Sequence, residues 1–163
     1  MSSHNLSLSL VAATLLVLAT LTTSCKNKQE VFPEHARPHW EAIDTSDLES
    51  SMTVTGALPD ALQANADTAD LVAAFCNGEC WGVTNIERYT GTTTEESSGK
   101  AMFFLYITRP RSFSSNKQAI ITLKYYCSKT KYIYVQESIF EFVVDNHFGS
   151  LNEPLIPDFT TQE

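Results

Sequence analysis

The chain has 163 residues, which suffices for one domain of ordinary size and is short for two. Its formal net charge of −8 argues against nucleic acid as a partner, because the phosphate backbone attracts basic surfaces. The same charge disfavours attachment to an anionic membrane through a basic patch.

An apolar run at the N-terminus extends from Leu8 to Leu21 and is followed by three small polar residues and then by Cys25. The run is shorter than the roughly 20 apolar residues that span a bilayer, and its small-residue exit is typical of a cleaved secretory signal. We therefore predict a signal peptide over residues 1–24. A transmembrane helix or an uncleaved interfacial anchor is the alternative.

The cysteine at the end of this run resembles the lipid-bearing cysteine of bacterial lipoproteins. The resemblance implies lipid attachment at Cys25, and acyl chains there would anchor the mature chain to a membrane without a spanning segment. Lys26, directly behind the cysteine, is compatible with sorting to the outer membrane, on either its surface or its periplasmic side. We predict a lipid-anchored protein of the cell envelope, with the membrane as a partner.

The segment that follows, residues 25–51, is polar and contains Pro33 and Pro38. It shows neither a sustained helical period nor a sustained alternation, which predicts a flexible tether. Trp40 is its large apolar anchor.

Beyond the tether, Met52 and Val54 alternate with Thr53 and Thr55, and Pro59 follows the segment, which predicts a first strand over residues 52–58. Residues 61–70 fit either one helical turn or a loop. The sharpest local pattern comes next, where Asn77-Gly78 separates two apolar runs. Asn-Gly supplies the two positive-φ positions of a type I′ turn, so this segment predicts a β-hairpin.

The hairpin turn implies three facing pairs, namely Cys76 with Glu79, Phe75 with Cys80, and Ala74 with Trp81. Cys76 and Cys80 then point to opposite faces, which disfavours a disulfide between them and a metal site on this hairpin. Cys127 ends a later alternating run and points inward, where it could form a disulfide with Cys76 or Cys80. Buried free thiols are the alternative.

The second half of the chain is rich in β-branched and aromatic residues in short runs, which predict strands over residues 101–108, 118–127, 131–135 and 138–145. A polar loop over residues 90–100 precedes them, and Ser128-Lys129-Thr130 forms the turn of a second hairpin. The pattern predicts an all-β domain over residues 52–157, a single immunoglobulin-like antiparallel β-sandwich, followed by a tail over 158–163. A barrel is the main alternative.

Five stretches resemble a family of secreted domains and lipoproteins common in Bacteroidota: SMTVTGALPDALQ, DLVAAFCNGECWGV, FFLYI, ITLKYYCSKTKYIY and FEFVVDNHFGSLNEPLI. Members of that family show an AAF-x-x-x-E-C-R-G-V hairpin and an ITFKYY-like strand, and the resemblance covers about residues 40–156. It implies a β-sandwich in an envelope protein of unassigned activity. Trp81 stands where the family has arginine and Cys76 where it has an aliphatic residue, so no ligand role of that arginine transfers here.

The sequence carries no catalytic or cofactor motif. The mature chain has three histidines, His35, His39 and His147, at no metal-binding spacing, and each is interpreted as a solvated loop residue. A nucleophile elbow, a phosphate loop and a dinucleotide fingerprint are absent from the sequence. We therefore predict a protein that is not an enzyme and needs no cofactor.

The loop before the first hairpin carries two weaker candidates. Asp60, Asp67 and Asp70 cluster there, and carboxylate oxygens are the ligands that Ca²⁺ prefers. Thr68 lies in an Asp-Thr-Ala triplet that resembles the short O-glycosylation motif of secreted proteins of this lineage. The alternative for the aspartates is an ordinary role in turns.

Two tryptophans, Trp81 and Trp40, are candidate ligand-binding residues, because a flat indole can stack on a sugar ring. The apolar neighbours expected around Trp81 favour packing in the core instead.

These features predict a non-catalytic envelope lipoprotein that presents a β-sandwich as a binding or adhesion module for a glycan or protein ligand, with function carried by a rigid scaffold. The alternative is a periplasm-facing structural or accessory subunit of an envelope complex, which would bind its partner through an edge strand or an apolar face.

Overall fold

Strands dominate the computed structural model of the chain, which describes residues 32–44, 46, 48–91, 98–113, 117–138 and 140–161. The predicted signal peptide and Cys25 lie outside the described residues, as do residues 92–97 of the predicted polar loop. The described residues belong to one unit, Phe32–Glu163. Its elements are β1 (Leu48–Ala57), α1 (Asp60–Gln63), β2 (Leu71–Cys76), β3 (Glu79–Asn85), β4 (Glu87–Arg88), β5 (Ala101–Pro110), β6 (Ile120–Cys127), β7 (Tyr132–Gln136), β8 (Phe140–Glu141), β9 (His147–Phe148) and β10 (Phe159–Thr161).

The strands form two sheets. One has four strands in the order β4-β5-β1-β9, and the other has β10-β7-β6-β2-β3 in line with β8 beside β6. The named strands described here pair antiparallel, except for a two-residue parallel pairing of β9 with β1. The sheets enclose one core, so the predicted all-β sandwich is confirmed, whereas its immunoglobulin-like character stays a prediction.

The core is filled by side chains that the strand alternation turns inward from both sheets. The largest fully buried members include Trp81, Tyr125, Phe103 and Met52. At one edge the two sheets come close together, because a Cβ on Gly82 of β3 would lie 2.2 Å from the carbonyl oxygen of Tyr106 in β5. Glycine is therefore required at this crossing.

The first hairpin is formed as predicted at its tip. Asn77 and Gly78 have φ angles of 50° and 85°, as a type I′ turn requires, and Cys76 pairs with Glu79. Further along, the register shifts between Ala74 and Phe75, so that Ala74 pairs with Gly82. The predicted facing of Ala74 and Trp81 is therefore wrong, because a β-bulge adds one residue to β3.

Residues 32–44, here called the strap, were expected to belong to a flexible tether, but they pack on the sandwich. The ring of Phe32 lies 5.7 Å from that of Tyr132, and the ring of Trp40 lies 5.6 Å from that of Phe75. The backbone N–H of His35 donates to Lys131 O (2.7 Å), at the other end of the sandwich from the β2–β3 hairpin. Aromatic contacts and backbone hydrogen bonds thus hold a segment whose sequence has no regular period.

The ends of the domain also differ from the prediction. β1 begins at Leu48, inside the segment assigned to the tether, and the predicted tail contributes β10, which pairs with β7. The ring of Phe159 in β10 packs 5.8 Å from that of Tyr125, which explains why this short segment joins the sheet. The strand predicted over residues 138–145 is replaced by β8 and β9, because the chain turns at Asp145 with a φ of 57°.

Candidate functional site

The outer surface of the four-stranded sheet carries two exposed aromatic side chains on its central part. Phe104 is 44% exposed and Tyr106 is 48% exposed, while their neighbours Phe103, Leu105 and Ile107 are buried in the core. The period-two alternation of a strand accounts for this division of β5 into an inner and an outer set.

Three strands contribute side chains to this surface. Thr53 of β1 is opposite Tyr106 of β5 on one side and His147 of β9 on the other, and Thr55 is opposite Phe104. We call this set of five residues the open face. It is drawn from parts of the sequence separated by almost a hundred residues, and the sheet register brings them together.

The open face contains a groove lined by Thr53, Val54, Thr55, Phe104, Leu105, Tyr106 and His147, with a volume of about 400 Å³. This volume lies within the roughly 300–1,000 Å³ of small-molecule sites in proteins. None of the seven lining residues is Asp, Glu, Lys or Arg. The groove therefore combines aromatic rings with hydroxyl and imidazole groups, without a fixed charge of either sign.

The imidazole of His147 is held by the two threonines. Its Nδ1 lies 2.5 Å from Thr53 Oγ1 and its Nε2 lies 3.3 Å from Thr55 Oγ1. A neutral imidazole has one donor and one acceptor nitrogen, and a threonine hydroxyl can do both, so each contact can be a hydrogen bond. Two contacts on one ring fix its orientation at the rim of the groove.

Gly149 allows β9 to lie this close to β1. Its φ is +74°, and a Cβ at this position would lie 2.2 Å from the backbone oxygen of Thr55. His147, predicted to be a solvated loop residue, therefore belongs to a strand at the groove, and neither Phe104 nor Tyr106 was among the predicted site residues. The alternation of Phe103-Phe104-Leu105-Tyr106 within a predicted strand was the signal available, since a half-buried strand must turn alternate residues outward.

The predicted ligand-binding role of Trp81 is wrong, because its side chain is fully buried. Its Nε1–H donates to Glu79 Oε2 (3.1 Å), and its ring packs edge-on against Phe113 and Phe142 at 5.0 and 5.8 Å. Trp40 is half-buried, and its ring meets Phe75 edge-on, on the six-stranded sheet rather than at the open face. The indole of Trp81 therefore packs in the core, and that of Trp40 packs the strap against the six-stranded sheet.

The predicted calcium site is also wrong, since the described residues contain no group of three side chains that could hold a metal ion. Asp60 begins α1 and is exposed, and Asp67 is exposed in a turn where its Oδ1 accepts the N–H of Ala69 (2.9 Å). Arg88 shares a cavity of about 230 Å³ with Asp67, and its cationic guanidinium would repel a bound cation.

Asp70, the third predicted ligand, is fully buried and has a structural role instead. Its Oδ1 accepts the backbone N–H and the hydroxyl of Ser128 at 2.8 and 2.7 Å, and its Oδ2 accepts the hydroxyl of Tyr125 (2.7 Å) and the N–H of Asp67 (3.0 Å). Burial, followed by the adjacent Asp70 carboxylate, raises the pKa of Tyr125 far above its ordinary value. This network joins the loop before β2 to the β6–β7 turn.

Thr68 is exposed in the same loop, and its carbonyl oxygen accepts a hydrogen bond from the Asn85 side chain (2.9 Å). Glycosylation at Thr68 stays a prediction.

The predicted disulfide is wrong, because Cys76, Cys80 and Cys127 are all free. Strand direction explains the error. Cys76 and Cys80 lie at the end of β2 where Phe75 pairs with Thr122, whereas Cys127 lies at the other end, beyond Tyr126, which pairs with Leu71. At about 3.3 Å per residue, Cys127 is roughly 20 Å from the other two, well beyond the about 7 Å that a disulfide tolerates between Cα atoms.

The two thiols of the hairpin, Cys76 and Cys80, have low reactivity. Burial raises the pKa of both Cys76 and Cys80, with a further contribution from Glu79 at Cys76. The thiolate is the reactive form of cysteine, so a raised pKa keeps both groups as unreactive thiols at neutral pH.

Comparisons of the chain with protein-family models, with curated proteins and with solved structures found no match. The resemblance to the Bacteroidota family therefore stays a prediction. In the part of the chain that the structure describes, no helix is long and apolar enough to cross a membrane.

Proposed function

We propose that this protein is a non-catalytic, lipid-anchored binding module of the bacterial cell envelope, and that it binds its ligand through the open face. The observation that carries the proposal is the pair Phe104 and Tyr106, each nearly half exposed on a strand whose other large apolar side chains lie in the core. Adjacent exposed aromatic side chains are characteristic of interaction sites. Their rings would gain free energy from contact with a ligand.

The two outer surfaces of the sandwich differ in a way that supports this assignment. The strap lies on the six-stranded sheet, where Trp40 contacts Phe75 and Ile43 N donates to Cys80 O (3.2 Å). On the open face, Phe104 and Tyr106 stay exposed, so no segment among the described residues covers them as the strap covers Phe75. A rigid sheet that presents ordered side chains loses little conformational entropy on binding, which favours affinity.

The anchor is tested first, by labelling cells that express the full chain with a clickable palmitate analogue. We expect label on the wild-type chain, loss of label in Cys25→Ser, and retained label in Cys80→Ser as the matched control. Unlabelled wild-type protein would contradict the lipoprotein assignment.

Location is tested on intact cells with a protease that does not cross the outer membrane. Digestion, with a periplasmic marker intact, would support a surface-exposed module. Protection would favour the alternative, a periplasm-facing accessory subunit of an envelope complex, if the purified protein is itself digested.

The binding role is tested by probing arrays of glycans and of extracellular and envelope proteins with the detergent-purified full chain. We expect ligands whose capture is lost in Phe104→Ser/Tyr106→Ser and retained in Ile120→Ser, a control on the other sheet with a similar exposure of 40%. If capture is the same for both variants, the open face is not the binding site.

A further inference from the structure

The open face sets a threonine opposite each of its aromatic rings, with the partly exposed Thr53 beside Tyr106 and the buried Thr55 beside Phe104. Tyr106, Thr53 and His147 form one row across three neighbouring strands, and Phe104 and Thr55 form the next row. Residues two apart on a strand are about 6.6 Å apart, and neighbouring strands about 4.8 Å. The rows therefore outline a shallow site with the dimensions of one or two six-membered rings.

We infer that the ligand of the open face is a neutral saccharide, with a pyranose ring against Phe104 and Tyr106 and its hydroxyls bound by Thr53 and His147. This inference rests on the proposed function and names the chemical class of the ligand. A pyranose has an apolar C–H face and a rim of hydroxyls. Aromatic rings pack against the apolar C–H face. Groups that both donate and accept hydrogen bonds match the hydroxyls at the rim of the sugar.

The polar groups of the groove argue against a purely apolar occupant. Thr53 Oγ1 and the His147 ring contact each other, but a hydroxyl has one donor and two acceptor positions, so part of its hydrogen-bonding capacity is left for solvent or ligand. An apolar partner would displace water from these polar groups without replacing its hydrogen bonds, which costs free energy. A saccharide hydroxyl replaces the hydrogen bonds of the displaced water.

The charge of the groove argues for a neutral ligand. The chain has 19 acidic and 11 basic residues, yet none of them lines the groove. A uronic acid, a sulfated sugar or a cationic peptide would bring a charge that the lining residues do not pair, and desolvating an unpaired charge is unfavourable.

The sheet order argues against an extended peptide. β1 and β5 are the two inner strands of the four-stranded sheet, with β4 and β9 beside them. β1 and β5 pair with each other along their length, so a peptide that lies in the groove over them cannot enter between them as an added strand, although β4 pairs only with Ala101 and Met102 of β5. Recognition at the groove has to use side chains.

The inference is tested by ligand-observed saturation-transfer NMR with the detergent-purified full chain. The probes are neutral hexoses and N-acetylhexosamines, their disaccharides, and the matching uronic acids, all at millimolar concentration. We expect at least one neutral saccharide to bind, with little transfer to its uronic acid.

Four variants locate the site. Phe104→Ser and Tyr106→Ser should each weaken binding about tenfold, because each removes an aromatic contact surface. Tyr106→Phe keeps the ring and should bind within about threefold of wild type, since one hydrogen bond to a neutral partner is worth little net. Ile120→Ser, on the other sheet, should bind as wild type does. Thermal unfolding of each variant verifies its fold.

Each outcome decides between the two proposals. Binding of a neutral saccharide that Phe104→Ser and Tyr106→Ser weaken supports both. Saccharide binding that these variants do not change, binding of uronic acids alone, or no saccharide binding at all overturns the inference. If the protein array then yields a partner that requires Phe104 and Tyr106, the open face remains a binding site, for a protein. If neither array yields such a ligand, the proposed function fails as well.

Discussion

Replacing Asp70 by asparagine tests whether the buried carboxylate network holds the sandwich together. The substitution preserves the shape of the side chain and changes one acceptor oxygen into a donor NH₂ group. In one amide orientation the NH₂ faces the backbone N–H of Ser128, and in the other it faces the backbone N–H of Asp67. The hydroxyls of Ser128 and Tyr125 can rotate to become acceptors, but a backbone N–H cannot.

The magnitude follows from the contacts. One buried N–H without an acceptor costs about 1–3 kcal/mol, and each remaining hydrogen bond loses about 1 kcal/mol when its acceptor is no longer charged. Relief from burying a charge offsets part of this loss. We therefore expect the free energy of unfolding to fall by roughly 2–4 kcal/mol in Asp70→Asn, which lowers Tm by roughly 6–15 °C for a domain of this size.

Urea and thermal unfolding followed by circular dichroism measure the effect. Asp67→Asn is the matched control, because it makes the same change of charge in the same loop on an exposed side chain, and it should cost less than about 1 kcal/mol. Equal stabilities of Asp70→Asn and wild type would refute the reasoning, since the desolvation cost of the carboxylate would then cancel its hydrogen bonds.

Three further predictions follow from single contacts. The pKa of Tyr125 is raised in the folded state, so this residue contributes fully to the free energy of unfolding below about pH 10. Above that pH the tyrosine ionises in the unfolded chain, and the contribution falls by about 1.4 kcal/mol per pH unit. Wild type should therefore lose stability faster than Tyr125→Phe in alkaline urea titrations, and parallel curves would contradict this. Gly149→Ala should cost about 2 kcal/mol more than Gly99→Ala, because both have positive φ but only Gly149 meets backbone within 4 Å; equal costs would rule out the close approach. Trp40→Ala should speed cleavage after Glu41 of the strap by a glutamate-specific protease, because the strap loses its aromatic contact, and an unchanged rate would show that other contacts hold it.

The sequence predicted those features of the fold that depend on a few adjacent residues. The Asn77-Gly78 turn follows from the positive φ that asparagine and glycine tolerate, and β1, β2, β5 and β6 follow from alternating or continuous apolar runs. In the undecided segment over residues 61–70, the first three residues belong to the short helix α1 and the rest form turns and loop.

The tip of the first hairpin has the predicted pairs, Cys76 with Glu79 and Phe75 with Cys80, but the face on which a cysteine lies was not enough to predict a disulfide. Cys76 and Cys127 both point into the core, as expected for two inward positions. The antiparallel pairing of β2 with β6 sets them at opposite ends of the strands. The face on which a side chain lies follows from its position in one strand, whereas strand direction and register depend on the partner strand.

The candidate site shows the same division. The alternation within β5 determined that Phe104 and Tyr106 would share a face, and the alternation within β1 did so for Thr53 and Thr55. That these faces are one surface, with the imidazole of His147 at its rim, was decided by strand pairing across the sheet. Likewise, the packing of Trp40 on Phe75 and the β-bulge before Trp81 arise from contacts in three dimensions. Turn chemistry and strand period are encoded within a few residues, whereas the relative placement of distant strands is fixed by the packing of a shared core, which a sequence pattern does not specify.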